Sequence, residues 1–169
     1  TASAAIAVNS VNQITGVNGV PFTYDANGNL TADDVRTYIW DAENRLTGIR
    51  YKTTPTKATD FRYDGLSRRV AIVDNNGPTT TETRYQWCGA NLCQARSATD
   101  AVTRRYVAEG EVRPVAGEKL YYATDHLGSV RDVLAVNGSK IASYDYDPYG
   151  NTTTASGRAS TDFRYAGMF

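Results

Sequence analysis

The 169-residue sequence has no charge excess, with 18 Lys plus Arg against 18 Asp plus Glu, and no run of basic residues. This removes the electrostatic footprint that nucleic-acid or anionic-membrane binding needs, and neither partner is expected. No window approaches the roughly 18 consecutive apolar residues of a membrane span, and the opening TASAAIAVNSVNQ lacks the charged-then-apolar pattern of a signal peptide. One His rules out a zincin motif, and two Cys beside one His leave zinc short of four ligands. No phosphate-cradling or dinucleotide-binding glycine loop occurs. No metal, cofactor or catalytic residue is therefore expected. Aliphatic residues are scarce too: Leu, Ile, Val and Phe number 31. Such a deficit signals disorder only when net charge is large, and here it is zero.

What fills the deficit is 12 Tyr, 2 Trp, 21 Thr and 14 Val, residues suited to a pleated, half-buried surface. No 12-residue stretch holds a helical apolar stripe, whereas short alternating segments recur between Asn-Gly and Asp-Gly pairs. The clearest hairpin is Val133 to Val136, Asn137-Gly138, Lys140 to Tyr146, for which a type I′ turn is expected. Similar signals stand at Asn18-Gly19, Asn27-Gly28, Asp64-Gly65 and Asn76-Gly77.

Aromatics followed by turn residues recur at Tyr24, Trp40, Tyr63, Tyr85, Tyr106, Tyr122, Tyr144 and Tyr165, at gaps of 16 to 23 residues. Each unit has room for two short strands and two turns. In the best copies the order is aromatic, Asp, two or so residues, Gly or Asn, then Leu. That order reads as an Asx-type turn closed by a left-handed residue, with the aromatic and Leu on one face. Tyr24, Asp25 and Gly28, then Trp40 and Asp41, then Tyr63, Asp64 and Gly65 are the turn residues of three copies. Asp125, His126 and Gly128, and Asp147, Pro148, Tyr149 and Gly150, are those of two later turns. The expected fold is all-β: tandem antiparallel hairpins forming a curved sheet.

YDANGNLT, TYIWDAENRLTGI and FRYDGLSRRV resemble the YD repeats of Rhs (rearrangement hot spot) proteins. TDHLGSVRDVLAVNGSKIASYDYDPYGN with FRYAGMF resembles the Rhs repeat-associated core, and WCGANLCQAR a segment that precedes it. The resemblance covers residues 10 to 169. It implies a section of a hollow β-sheet shell that sequesters a toxic C-terminal domain, in a secreted or surface-associated bacterial polymorphic toxin. The implied partners are the remainder of the shell and its enclosed toxin. In the family it resembles, an autoproteolytic aspartate segment lies a few tens of residues beyond the equivalent of RYAGMF, so the resemblance implies a non-catalytic piece of a longer polypeptide. By motif it divides into a flexible lead-in (1–15), YD-repeat hairpins (16–115) and a core segment (116–169). The second reading is a carbohydrate or cell-surface binding module.

Cys88 and Cys93 bracket a loop short enough to place them on facing strands, within disulfide reach. An exported destination favours oxidation and assembly in a bacterial cytoplasm opposes it, so both states stay open. His126 with Asp125, Ser129 and Asp132 could suggest a triad, but a turn with His126 bonded to backbone is the expected role. Asp145 and Asp147 are expected to be solvated or turn-capping. The stretch TTTASGRAST, 152–161, reads as a mobile loop. Open sheet edges are expected to promote self-association or to be covered by the N-terminal residues.

Overall fold

A computed structural model describes residues 5–158 and 160–167. The first four residues of the expected lead-in, Ala159 of the 152–161 stretch and the last two residues of FRYAGMF lie outside the described residues. The chain divides into two compact units, Thr1–Tyr85 and Gln86–Phe169. Apart from a 3-10 turn at Tyr165–Gly167, every regular element among the described residues is a strand.

The first unit opens with a three-stranded antiparallel sheet of β1 (Ile6–Val8), β2 (Ile14–Val17) and β3 (Val20–Pro21). Part of the expected lead-in is therefore hydrogen-bonded strand. The Asn18-Gly19 turn joining β2 to β3 has positive φ at both residues, 51° and 82°, as a type I′ hairpin requires. There follow β4 (Thr23–Tyr24), β5 (Leu30–Ala32), β6 (Arg36–Trp40), β7 (Leu46–Tyr51), β8 (Lys57–Tyr63), β9 (Arg69–Asn76) and β10 (Thr79–Cys88). The second unit adds β11 (Asn91–Ser97), β12 (Val102–Val107), β13 (Gly110–Arg113), β14 (Glu118–Thr124), β15 (Val130–Ala135), β16 (Lys140–Tyr146) and β17 (Thr152–Gly157). From β4 to β17 each strand pairs with its sequence neighbours in one open 14-stranded sheet. The all-β hairpin reading is thus correct.

The first unit has almost no core. Among its described residues the only fully buried hydrophobic is Ala71. Directly paired residues share a face, so the registers of β6 to β10 sort its side chains into two sets. One face gathers Tyr38, Ile49, Tyr51, Phe61, Tyr63 and Ile72. The other carries Arg50 paired with Asp60 at 2.6 Å, and Glu82 bonded to both Arg62 and Arg84 at 3.2 and 2.9 Å. Cations lie over the aromatic rings, with Lys57 4.5 Å and Arg36 5.7 Å from the Tyr51 centroid. Ladder hydrogen bonds and cross-strand pairs hold this unit, each pair contributing about 0.2–1 kcal/mol.

The second unit does have a core, in which Leu120, Val130, Val133, Ala142 and Tyr144 are buried and Tyr122, Ile141, Tyr146 and Phe163 pack around them. Tyr122 pairs with Val133 and Val133 with Ala142, so these residues stand on one face of β14, β15 and β16. A return segment, residues 160–167, lies against it. Val130 N–H donates to Arg164 C=O at 2.9 Å, and the buried Ser129 hydroxyl accepts Ala166 N–H at 3.0 Å.

Two sequence expectations fail here. Residues 152–157 are edge strand, with Tyr144 opposite Ala155, because the Asp147 turn sends the chain back along β16. All six β17 residues are exposed, which is why apolar alternation is missing. At Asn137-Gly138 only Gly138 has positive φ, and Ala135 N–H reaches Ser139 C=O. This is a three-residue loop with a bulge, not a two-residue type I′ turn. Leu120→Ala should lower unfolding free energy by about 2–5 kcal/mol in denaturant titration. Val115→Ala, at an exposed turn, should stay within about 0.5 kcal/mol.

Candidate functional site

One turn recurs eight times among the described residues, starting at Asn9, Asp25, Asp41, Asp64, Ser97, Asp125, Ala135 and Asp147. The first residue's N–H donates to the C=O four positions on, its own C=O accepts the N–H three positions on, and that third residue has positive φ in every copy. This is a type I turn closed by a left-handed residue. In six copies the leading side-chain oxygen also accepts two backbone N–H groups, at positions +2 and +4. For Asp64 these are Leu66 and Arg68, at 2.9 and 3.0 Å. The left-handed residue is Gly28, Asn44, Ser67, Gly128 or Gly150 after the five aspartates. Gly65 is not that residue: the Asp64 copy uses Ser67, because the left-handed position is third in the loop and Gly65 is first. In the same copy Leu66 points into solvent, and Arg69 takes the place opposite Tyr63 that Leu30 and Leu46 take opposite Tyr24 and Trp40.

An aromatic directly precedes four of these aspartates, all but Asp125, and has its own task. Tyr24, Trp40, Tyr63 and Tyr146 donate side-chain hydrogen bonds to the C=O of Ile14, Leu30, Leu46 and Val130, at 2.6 to 2.8 Å. Each acceptor is the fifth residue after the start of the preceding Asn- or Asp-led turn in its unit: Asn9, Asp25, Asp41 and Asp125. Aspartate thus closes a corner and the aromatic staples it to an earlier corner. Side chains add further links: Asn27 and Asn29 both reach Asn44 Oδ1, and Arg45 lies 5.1 Å from the Tyr63 ring centroid and 3.4 Å from Asp64 C=O. In the second unit the staple comes from Tyr146. Of the aromatics that sequence spacing had picked there, Tyr144 is buried in the core and Tyr122 packs against it.

The second constellation is a buried ionic cluster. Glu111, 1% exposed, accepts from Arg113 Nε at 2.5 Å, Tyr122 Oη at 2.6 Å and Arg104 Nη1 at 3.3 Å. Burial first, then the bond to Glu111, push the Tyr122 phenol well above its ordinary value. Arg104 and Arg113 also donate to Ser160 C=O, Tyr106 donates to Asp162, and the Phe163 ring meets Tyr106 edge-on at 5.2 Å. Further along, Tyr165 packs on Gly150, where a Cβ would fall 2.7 Å from the Tyr165 ring and φ is +85°. Glu111 organises two arginines that strap the return segment down. What the two constellations can do chemically is hold a sheet together; neither presents an open reacting group.

The teneurin YD-shell family model matches residues 1–169. The chain belongs to the teneurin YD-shell family. The Rhs and YD-repeat resemblance of its motifs is borne out. Similar relatives are the tRNA3(Ser)-specific nuclease WapA of Bacillus spizizenii and the tRNA nuclease WapA of Bacillus subtilis, each 32% identical over 94% of this chain. The chain spans 7% of the length of these curated relatives. Among solved structures, the Photorhabdus luminescens Tc holotoxin pore superposes with a TM-score of 0.64 at 20% identity, over 85% of this chain and 8% of that one. The TcdB2-TccC3-Cdc42 complex gives 0.65, also at 20% identity, over 85% of this chain and 8% of that one. These two likenesses show the fold.

Within this YD-shell chain the suspected catalytic groupings are not assembled. Ser129 is committed to Ala166, Asp132 to Ser143 and Lys140, and Asp125 to its own corner. His126 is exposed at the first loop position, and no hydrogen bond joins its ring to any described residue, contrary to the backbone bond expected. Asp145 pairs with Arg131 at 2.6 Å, and Asp147 caps the turn whose first loop residue is Pro148. Tyr149 stands 90% exposed in the same loop. Cys88 and Cys93 are joined by a disulfide. Sequence reasoning missed Glu111 altogether. Its one signal was an acidic residue two positions before Arg113 in a short strand, which is too common a pattern to single out.

All five corner aspartates have carboxyls held below 3.8. For Asp25, Asp64 and Asp147 the leading cause is the side-chain bond from Asn29, Arg68 or Asn151. For Asp41 and Asp125 desolvation is the largest single effect and raises the value, but bonds from Arg45 and from Ser129 with Leu127 outweigh it. A depressed folded pKa contributes stability that is fully present above the unfolded pKa and lost as pH falls through the folded one. Unfolding free energy should hold level from pH 7 to 5 and fall below about pH 4. Asp64→Asn keeps two acceptor bonds and loses the Arg68 ion pair, so it should sit between wild type and Asp64→Ala at pH 7, with wild type converging on it in acid. Glu111→Ala should cost about 3–5 kcal/mol by removing the buried acceptor that Arg104, Arg113 and Tyr122 share, leaving Asp162 and Glu118 as the arginines' carboxylate partners, against under about 1 kcal/mol for Arg62→Ala. Equilibrium denaturation of the four variants checks this.

Proposed function

We propose that the chain is a wall section of an exported bacterial toxin of the Rhs type, and that it acts by steric enclosure of a toxic C-terminal domain. The observation that carries this reading is the stapled corner row on a unit whose one fully buried hydrophobic, among the described residues, is Ala71. A sheet that buries almost nothing, whose corners bond to their predecessors, suits a thin extended wall and not a compact binding domain. The section itself performs no turnover; the commitment of Ser129, Asp125, Asp132, Asp145 and Asp147 to partners within the sheet supports that. Its partners are the remaining wall and the enclosed domain, and its place is outside the cell or on the bacterial surface. Among the described residues no helix is long and apolar enough to cross a membrane. The tRNA nuclease names of the WapA relatives describe proteins of which this chain matches a small part, and we assign that kind of activity to the enclosed domain. A sugar-stacking role at Tyr144 is disfavoured, because that ring is 3% exposed with Arg164 4.2 Å from its centroid.

The test is protease protection of a full-length protein carrying this section. The C-terminal domain should resist digestion in the wild type and become sensitive when Asp41 and Asp64 are both changed to Ala. Digestion of the wild-type domain as fast as the isolated domain would sink the proposal. The isolated chain presents unpaired backbone at β4 and β17, so sedimentation should show concentration-dependent association.

A further inference from the structure

The corner between β10 and β11 in the second unit is closed by a covalent bond instead of a carboxylate. Between β10 and β11 the loop is Gly89-Ala90, and no aspartate leads it. In its place Cys88, the last residue of β10, is bonded to Cys93 on β11, with Cα atoms 5.8 Å apart. Cys88 is exposed and Cys93 half-buried. The segment from Trp87 to Cys93 forms one wall of a concavity of about 810 Å3, whose other walls include Tyr106, Tyr122, Val130 and Phe163. Phe163 belongs to the strapped return segment. A covalent bond therefore stands where an Asx-type bond closes the Asp125 and Asp147 corners. Unlike a carboxylate bond, it can be removed chemically without acid.

We propose that Cys88–Cys93 is a redox latch on this wall, closed in an oxidising exterior and opened by a small-molecule thiol of the glutathione class. The thiolate attacks the sulfur of exposed Cys88, the bond to Cys93 breaks, and Cys93 leaves as a thiolate that takes up a proton. A second thiolate then attacks the mixed disulfide, releasing Cys88 as thiol and the reductant as its own disulfide. Two electrons and two protons pass from two small thiols to the protein. The β10–β11 hairpin is left with a two-residue loop and no covalent closure, and one wall of the concavity is freed beside the strap. The consequence rests on the shell reading: a wall section that loosens on entering a reducing cytosol would favour release of what it encloses. The latch itself does not depend on that reading.

Hydrogen exchange by mass spectrometry on the whole chain tests it, before and after dithiothreitol, with alkylation to confirm reduction. Reduction should accelerate amide exchange across residues 87–97 on the order of tenfold, with corners 25, 41 and 64 unchanged. The Cys88→Ser/Cys93→Ser variant should exchange like the reduced protein and ignore dithiothreitol. Unchanged rates after confirmed reduction, acceleration spread evenly over the chain, or a double variant matching the oxidised protein would each overturn the latch. So would free thiols at both positions in protein purified from an oxidising compartment without reductant. The protease-protection result bears only on enclosure, so the two readings fail separately.

Discussion

The structure depends on one interaction: a side-chain oxygen at the entrance of a three-residue loop accepting two backbone N–H groups that the loop turns away from the ladder. Buried or half-buried N–H groups without partners cost as much as a lost hydrogen bond, so an open sheet that reverses every few residues must provide for them at each corner. Asp25, Asp41, Asp64, Asp125 and Asp147 do so with short geometry and a depressed carboxyl pKa. The left-handed residue three positions on completes the reversal, and glycine, asparagine or serine all serve.

From that follows the second role of the repeat. The aromatic that precedes the aspartate emerges at a fixed distance from an earlier corner, and its single donor finds a carbonyl there. Closure and stapling together let the first unit stand with Ala71 as its one fully buried hydrophobic among the described residues. Apolar burial, which dominates most domains, is here replaced by a ladder of modest local terms. The second unit takes the other route: a return segment covers one sheet face, and a buried Glu111 with two arginines holds it in place. Breaking that cluster at Glu111 is costly because two arginines and Tyr122 lose the one buried acceptor they share.

The corners were legible because their chemistry is local. Asp followed within five residues by Gly or Asn, with an aromatic in front, fixes hydrogen bonds between residues four apart, and no distant contact is needed to decide them. Even so, local signals misassigned details. Asn137-Gly138 suits a two-residue turn in isolation, but pairing of β15 with β16 required the longer loop with a bulge. Asp64-Gly65 drew attention to the glycine, while the chain reversal placed the left-handed conformation at Ser67. The edge strand at 152–157 was invisible because an exposed strand has no apolar alternation to read.

The sequence alone determined that the chain is β, that it is punctuated by carboxylate corners, and that aromatics recur with them, since each property resides in neighbouring residues. Only tertiary structure decided which tyrosine staples and which is buried, for Tyr144 and Tyr146 lie two apart on one strand and differ by what packs above them. It also decided that Glu111, Ser129 and residues 160–167 form one assembly. Those groups are separated by 18 to some 50 residues, and no local rule links an acid on a short strand to a carbonyl that returns from the far end of the unit.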